Sequence, residues 1–220
     1  MKTALVSGAA GALGTEICRG LLARGWSVLG LHHATPPPRD LTEKMRFHQA
    51  DLGDENFAEQ LPEEFFAVDA LFHCASPRPD VAITHKRDLG DFDRHWRIGA
   101  RAAAALYRKA APQLLRRRGL VVLVLTSYTL EEAPKGLAPY LVQKHALLGL
   151  GLALRQEIQG RGVRVVCASP RAMDTPFLGD LPAAARAALA ASVTLTAARA
   201  AEAILATAFA TADPPDNLLI

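Results

Sequence analysis

Short apolar segments alternate with longer helical stretches along the whole of this 220-residue chain. The short segments are apolar at nearly every position rather than at every second one, which is typical of strands covered on both faces of a sheet. Repeated strand–helix–strand units favour parallel strands joined by right-handed crossovers. The sequence therefore predicts an α/β protein with a doubly wound parallel sheet.

The predicted elements follow one another without a linker long enough to separate two domains. We expect strands at Thr3–Ser7, Ser27–Leu31, Met45–His48, Val68–His73, Leu120–Ser127 and Val163–Ala168, with a short last strand at Asn217–Ile220. We expect helices near Ala12–Arg24, Asp54–Leu61, Phe92–Arg117, Tyr140–Gln159, Leu181–Ala191 and Ala197–Thr211. The prolines Pro36–Pro38 predict a loop after the second strand. The sequence thus indicates a single domain over residues 1–220.

Composition and charge exclude several classes of protein. Half of the residues are apolar, which is enough for a sizeable core and excludes global disorder. The 25 basic and 22 acidic residues leave a net charge of +3, too small a margin to favour a nucleic-acid or membrane surface. The longest apolar runs have the length of strands, and no signal peptide is recognisable. Three widely spaced cysteines predict no disulfide framework and no metal site, so we expect a cytoplasmic protein.

A glycine-rich turn connects the first strand to the first helix. Gly8, Gly11 and Gly14 recur at every third position of this turn. Small residues there let backbone N–H groups approach a pyrophosphate at the helix N-terminus. The alternative is a tight turn that binds nothing. Because the turn follows the first strand of a βαβ series, we favour dinucleotide binding.

The end of the second strand bears on which dinucleotide is bound. A carboxylate that binds the adenosine ribose is expected about 20 residues after the glycines, but His32 and His33 stand there. Without a carboxylate a 2′-phosphate is not repelled, and His33 or Arg39 would be its donor. In the alternative interpretation both histidines are ordinary loop residues. The sequence favours NADP(H), with NAD(H) possible.

Three polar residues are candidates for catalysis. Ser127 lies at the end of the predicted fifth strand, and Tyr140 and Lys144 follow 13 and 17 residues later. Positions i and i+4 share one helix face, so the phenol and the ammonium group would point at one site. A nearby cation favours tyrosinate, which predicts a pKa for Tyr140 below its reference value of about 10. Tyr140 would then be a general acid/base.

In combination these motifs resemble the short-chain dehydrogenase/reductase family, over nearly the whole chain. The resemblance implies a Rossmann-like fold and hydride transfer between a nicotinamide and a carbonyl or alcohol. It implies that Ser127, Tyr140 and Lys144 are catalytic. It also implies that a set of residues contacts the cofactor: Gly8, Gly11, Leu13, Gly14, His33, Asp51, Leu52, Ala75, Lys144, Pro170 and Thr175.

The chain departs from the family pattern at two positions. Gly99 stands where the family places a catalytic Asn, and Arg171 stands where it usually has Gly. Gly99 would keep a helix kink and its carbonyl while losing the amide. From the sequence we therefore expect Gly99→Asn to leave activity unchanged or to raise it.

The resulting hypothesis is an NAD(P)(H)-dependent oxidoreductase that acts on a small carbonyl or alcohol. The alternative, motivated by Gly99 and Arg171, is a non-catalytic dinucleotide-sensing or regulatory protein of the same fold. The resemblance also implies a homodimer or homotetramer that pairs the helices Phe92–Arg117 and Tyr140–Gln159. Neither nucleic acid nor membrane is an expected partner, and the segment Pro176–Pro182 would form one wall of the substrate pocket.

Overall fold

The computed structural model describes residues 1–173, 175, 195–210 and 215–220. In this part of the chain seven parallel strands form one sheet in the order β3-β2-β1-β4-β5-β6-β7. The strands are β1 Thr3–Ser7, β2 Ser27–His32, β3 Arg46–Gln49, β4 Ala70–His73, β5 Leu120–Val124, β6 Arg164–Ser169 and β7 Leu218–Leu219. The doubly wound parallel sheet predicted from the sequence is confirmed. The largest difference is at β5, which ends at Val124 and not at Ser127.

Helices lie between most of the strands. They are α1 Ala12–Ala23, α2 Arg39–Thr42, α3 Phe57–Gln60, α4 Leu89–Trp96, α5 Ala102–Arg117, α6 Ala138–Glu157 and α7 Ala197–Phe209. The short α2 falls in the predicted loop after β2. The predicted helix Leu181–Ala191 and the pocket wall Pro176–Pro182 lie outside the described residues. Among the described residues, no helix has both the length and the apolar character needed to cross a membrane.

The predicted helix Phe92–Arg117 is interrupted. Between α4 and α5 the backbone forms a π-helical turn over Arg97–Arg101, with Gly99 at its centre. A π turn inserts one extra residue into a helix and is frequent at functional sites. This turn packs against α6, so the irregular backbone lies beside the helix that carries Tyr140 and Lys144.

Both faces of the sheet are covered, as the apolar strands predict. Alternate residues of β4 point to opposite sides: Leu71 packs with Leu106 of α5, and Phe72 packs with Ile17 of α1. All four side chains are fully buried. The chain continues from β1 to β2 on one side and from β4 to β5 on the other, so the strand order reverses at the β1–β4 pair and right-handed crossovers place the connecting helices on opposite faces. In doubly wound sheets ligands bind at the carboxyl edge beside this switch point.

Candidate active site

A cavity of about 530 Å³ lies at the carboxyl edge of the sheet, lined by the segments that follow β1 to β6. Each of the residues predicted to contact a cofactor lines it: Gly8, Gly11, Leu13, Gly14, His33, Asp51, Leu52, Ala75, Lys144, Pro170 and Thr175. Tyr140 lines it too. The structure thus brings together residues that are up to 167 positions apart, because the ends of parallel strands meet at one edge.

The glycine turn at one end of this cavity is built for close approach. Gly8 has φ +69°, and a Cβ there would stand 2.9 Å from the backbone of Ala75. A Cβ at Gly14 would overlap the carbonyl oxygen of Gly8. Helix α1 begins directly after Gly11, with no side-chain cap and no acidic residue in its first turn. Its first amides are therefore available to an anion, so the turn fits a pyrophosphate.

The residues after β2 and β3 form the adjoining part of the cavity. Asp51 is the one carboxylate among the described lining residues, and its Oδ1 accepts a hydrogen bond from Gly53 N at 2.8 Å. His33 is exposed and lines the cavity, whereas Arg39 does not line it. Of the two predicted phosphate donors, the structure therefore brings only His33 to the cavity.

Tyr140 and Lys144 lie together on the first turns of α6. The Lys144 ammonium is 3% exposed and donates a hydrogen bond to the Val124 carbonyl at 2.8 Å. Its Nζ lies 5.5 Å from the centre of the Tyr140 ring. Burial lowers the pKa of Lys144 to about 8. The i, i+4 spacing thus brings phenol and amine to one site, as the sequence predicts.

The pKa of Tyr140 differs from the expectation. Burial raises it to about 12, and the hydrogen bond that opposes this rise comes from Thr126 and not from Lys144. The Tyr140 phenol therefore carries its proton at neutral pH. Lys144 is not among the groups that shift this pKa. Burial lowers the pKa of its amine to about 8, so the amine is neutral at the pH at which the phenol titrates.

The third predicted catalytic residue is Ser127. Its side chain is 2% exposed and is not among the described residues that line the cavity. Ser127 O accepts a hydrogen bond from Glu131 N at 2.8 Å, and the Glu131 carboxylate accepts from Arg171 Nη2 at 2.8 Å. The pKa of Glu131 is lowered by Arg171 and then by Ser127. The catalytic role of Ser127 stays a prediction from the sequence.

Gln143, which sequence reasoning missed, fills the space beside Gly99. A Cβ at Gly99 would overlap Gln143 Cγ and stand 2.5 Å from its Nε2. Gln143 is fully buried, and its Oε1 accepts a hydrogen bond from Ser76 Oγ at 3.1 Å. Any side chain at position 99 would therefore require Gln143 to shift, which argues against the expectation that Gly99→Asn leaves activity unchanged or raises it. No local pattern reveals this pairing, because the two residues are 44 positions apart.

Two further groups near Lys144 are neutral at physiological pH. His73 is fully buried with its Nδ1 2.8 Å from Ser7 Oγ, and burial followed by repulsion from Lys144 lowers its pKa to about 3. Burial raises the pKa of the Cys74 thiol to about 12. A neutral thiol is a poor nucleophile. Of Lys144, His73 and Cys74, Lys144 is therefore the charged group at neutral pH.

Comparison with known proteins finds relatives over most of the chain. The family model described as short chain dehydrogenase matches residues 2–210. Nodulation protein G of Rhizobium meliloti (strain 1021) is 28% identical, over 82% of this chain and 76% of that protein. The mitochondrial (-)-isopiperitenol/(-)-carveol dehydrogenase of Mentha piperita is 26% identical, over 82% and 72%. A solved structure described as a short chain dehydrogenase/reductase family protein matches with TM-score 0.85 and 29% identity, covering 100% of this chain and 95% of that one.

Proposed function

Because the chain belongs to the short-chain dehydrogenase family, we propose that it is an NAD(P)(H)-dependent oxidoreductase acting on a small carbonyl or alcohol. The observation that carries the proposal is one cavity lined both by the uncapped N-terminus of α1 and by the Tyr140–Lys144 pair. The first fits a dinucleotide phosphate, and the second fits proton transfer to a carbonyl oxygen.

The residues that line the cavity would have the following roles in the reaction. A bound nicotinamide supplies or accepts the hydride. Tyr140, which is protonated at neutral pH, gives its proton to the substrate oxygen in the direction of reduction. Lys144 lies within reach of the same part of the cavity and would hold the cofactor ribose. The fixed backbone around both residues keeps the donor in place, which is the main protein contribution in such a site.

The direct test is consumption of NADPH, followed at 340 nm, against a panel of ketones, aldehydes and quinones. The proposal expects turnover of at least one uncharged carbonyl by the wild type, and turnover lower by about 10²- to 10⁴-fold in a Tyr140→Phe control. If the wild type binds NADPH tightly but consumes it with no member of a broad panel, a dinucleotide sensor is the better description.

We expect NADPH to bind more tightly than NADH. Among the described residues, one carboxylate, that of Asp51, lines the cavity, together with six basic side chains: His32, His33, Arg78, Arg94, Lys144 and Arg171. A charge-assisted hydrogen bond from His33 to a 2′-phosphate contributes about 1–3 kcal/mol, or about 5- to 150-fold in affinity. Calorimetric titration of both nucleotides measures the ratio. His33→Ala should reduce it, while Arg39→Ala, outside the cavity lining, should not; equal affinities in the wild type would refute the preference.

We further propose a homodimer at least, formed by α4, α5 and α6. Large apolar side chains lie exposed on this side of the molecule, with Trp96 on α4 and Val142 and Leu152 on α6. Light scattering at micromolar concentration should give at least about twice the 23.5 kDa chain mass. Val142→Lys should lower the measured mass, and Ile83→Lys, at a similarly exposed position, should not.

We also propose a reducing, cytoplasmic setting, since all three cysteines are unpaired.

A further inference from the structure

Two segments of the cavity wall are joined to each other close to the start of α6. Residues 77–79, which follow β4, line the cavity, and so does Leu137, directly before the first residue of α6. The two segments meet where the Ala82 amide donates a hydrogen bond to the Gly136 carbonyl at 3.2 Å. Neither segment contains a residue predicted to contact the cofactor. They therefore belong to the part of the wall that is left for a substrate.

A buried arginine makes hydrogen bonds to both segments. The Arg87 side chain is 2% exposed. Its Nη2 donates to the Gly136 carbonyl at 2.7 Å and also to the Asp80 carbonyl. Its Nε donates to the Ala82 carbonyl at 3.0 Å. Because Asp80 and Gly136 are each next in the chain to a residue that lines the cavity, one guanidinium group fixes both segments at the wall itself.

The charge of this guanidinium group is balanced by a carboxylate. Arg87 Nη1 donates to Asp91 Oδ2, in the first turn of α4, at 3.1 Å. The three nitrogens thus point at different partners, which suits a planar guanidinium and not the single ammonium of a lysine. Because a buried charge that loses its partners is unfavourable, the guanidinium keeps its position only while both segments remain in contact with it.

The contact between the segments is also closely packed. Gly136 has φ +87°, a conformation that favours glycine. A Cβ at this position would stand 2.9 Å from Val81 Cγ1 and 3.2 Å from the Ala82 amide nitrogen. The hydrogen bonds of Arg87 and the missing side chain at position 136 therefore both hold the segments at one separation.

We propose that Arg87 is a positioning residue, which preforms the substrate side of the cavity by joining residues 77–82 to residues 136–137. The inference rests on the proposed function of this cavity. Gly136 lies four residues before Tyr140, so the same hydrogen bonds fix the start of the helix that carries the proton donor. A carbonyl compound held against this wall stays at a fixed distance from the phenol, and a displacement of about 1 Å at this stage lowers the rate by about 10²-fold.

Substitution of Arg87 should change substrate binding and leave cofactor binding intact. Arg87→Met keeps an unbranched apolar stem and removes all the donors, and Arg87→Lys keeps the charge without the planar group. We expect Arg87→Met to raise the KM for the carbonyl and to lower kcat/KM by about 10²-fold, and Arg87→Lys to recover little of this loss. The affinity for NADPH should stay at the wild-type value. A loss of stability alone would reduce the amount of folded enzyme and leave KM unchanged.

Arg155 provides a matched control away from the cavity. Its guanidinium group also bonds to two carbonyls and one carboxylate, those of Val165, Pro215 and Asp216. Neither Arg155 nor these partners are among the described residues that line the cavity. Arg155→Met removes a comparable set of hydrogen bonds, so it should lower the melting temperature while the KM for the carbonyl and the affinity for NADPH stay at their wild-type values.

Gly136→Ala tests the same contact with Arg87 in place. The added methyl group would press against Val81, so we expect a higher KM for the carbonyl and unchanged affinity for NADPH. This variant supplies the kinetic test if Arg87→Met does not fold. A KM that stays at the wild-type value in Gly136→Ala and in folded Arg87→Met, or that rises equally in Arg155→Met, would overturn the inference.

Hydrogen exchange followed by mass spectrometry tests the contact without a substrate. The Ala82 amide is protected by its bond to Gly136, so exchange in peptides covering residues 80–88 should be faster in Arg87→Lys and Gly136→Ala than in the wild type and Arg155→Met. Unchanged exchange in both Arg87→Lys and Gly136→Ala would overturn the inference. A wild type inert toward every carbonyl would refute the proposed function alone, since the exchange comparison still decides whether Arg87 joins the two segments.

Discussion

Tyr140→Phe should lower turnover by about 10²- to 10⁴-fold, the usual contribution of a positioned general acid, while cofactor binding stays close to that of the wild type. The ring would still pack, because only one oxygen is lost. No other phenol is placed over Lys144 among the described residues. Steady-state rates with a confirmed substrate and calorimetric titration of NADPH measure the two quantities separately. Retention of wild-type turnover would show that Tyr140 is not the proton donor.

Lys144→Met is the informative contrast to this variant. The Lys144 ammonium is buried and bonded to the Val124 carbonyl, and it also lines the cavity. We therefore expect the substitution to lower both turnover and nucleotide affinity, whereas Tyr140→Phe lowers turnover alone. If both variants keep full nucleotide affinity, Lys144 does not contact the cofactor.

Gly99→Asn should destabilise the protein and lower its activity. The new side chain would occupy the space of the Gln143 side chain, which is fully buried and hydrogen-bonded to Ser76. Overpacking of this kind costs about 1–3 kcal/mol. For a chain of this size the melting temperature should fall by about 2–12 °C. Thermal unfolding monitored by circular dichroism measures the change.

A second substitution provides the control for steric conflict. Gln143→Ser removes the side chain that fills the space beside Gly99, so the Gly99→Asn, Gln143→Ser double variant should be more stable than Gly99→Asn alone. Residues in direct contact are expected to show non-additive effects of about 0.5–3 kcal/mol. If the stability changes of the two single variants simply add up in the double variant, the Asn side chain at position 99 and Gln143 do not compete for one space. The lower stability of Gly99→Asn would then have another cause.

The sequence alone was sufficient to predict the sheet and which residues line the cavity beside the glycine turn. Strands that are apolar at nearly every position require cover on both faces, and the structure provides it with α1 and α7 on one side and α5 and α6 on the other. Parallel strands end at one edge of a sheet, so Gly8, Asp51 and Pro170 meet there although they are far apart in the chain. The i, i+4 spacing likewise brought Tyr140 and Lys144 together.

Only the tertiary structure decided which polar groups contact one another. Leu123 and Leu125 both pack with Leu147 of α6. If β5 continued beyond Val124, the alternation of its side chains would also place Ser127 on the side of α6. The strand ends at Val124, however, and in the turn beyond it Thr126 lines the cavity whereas Ser127 does not. Periodicity describes side-chain direction only within a regular element; beyond its end, direction depends on hydrogen bonds to distant segments.

The same limit explains Gly99 and the pKa of Tyr140. The Gln143 side chain of another helix fills the space beside Gly99. The local sequence around either residue does not show that the other lies next to it. Burial raises the pKa of Tyr140 because the surrounding elements exclude water from the phenol. The local sequence thus determined which elements form and which residues share an edge. Which side chain fills the space beside Gly99, and how far the Tyr140 phenol is shielded from water, were decided only when those elements packed against one another.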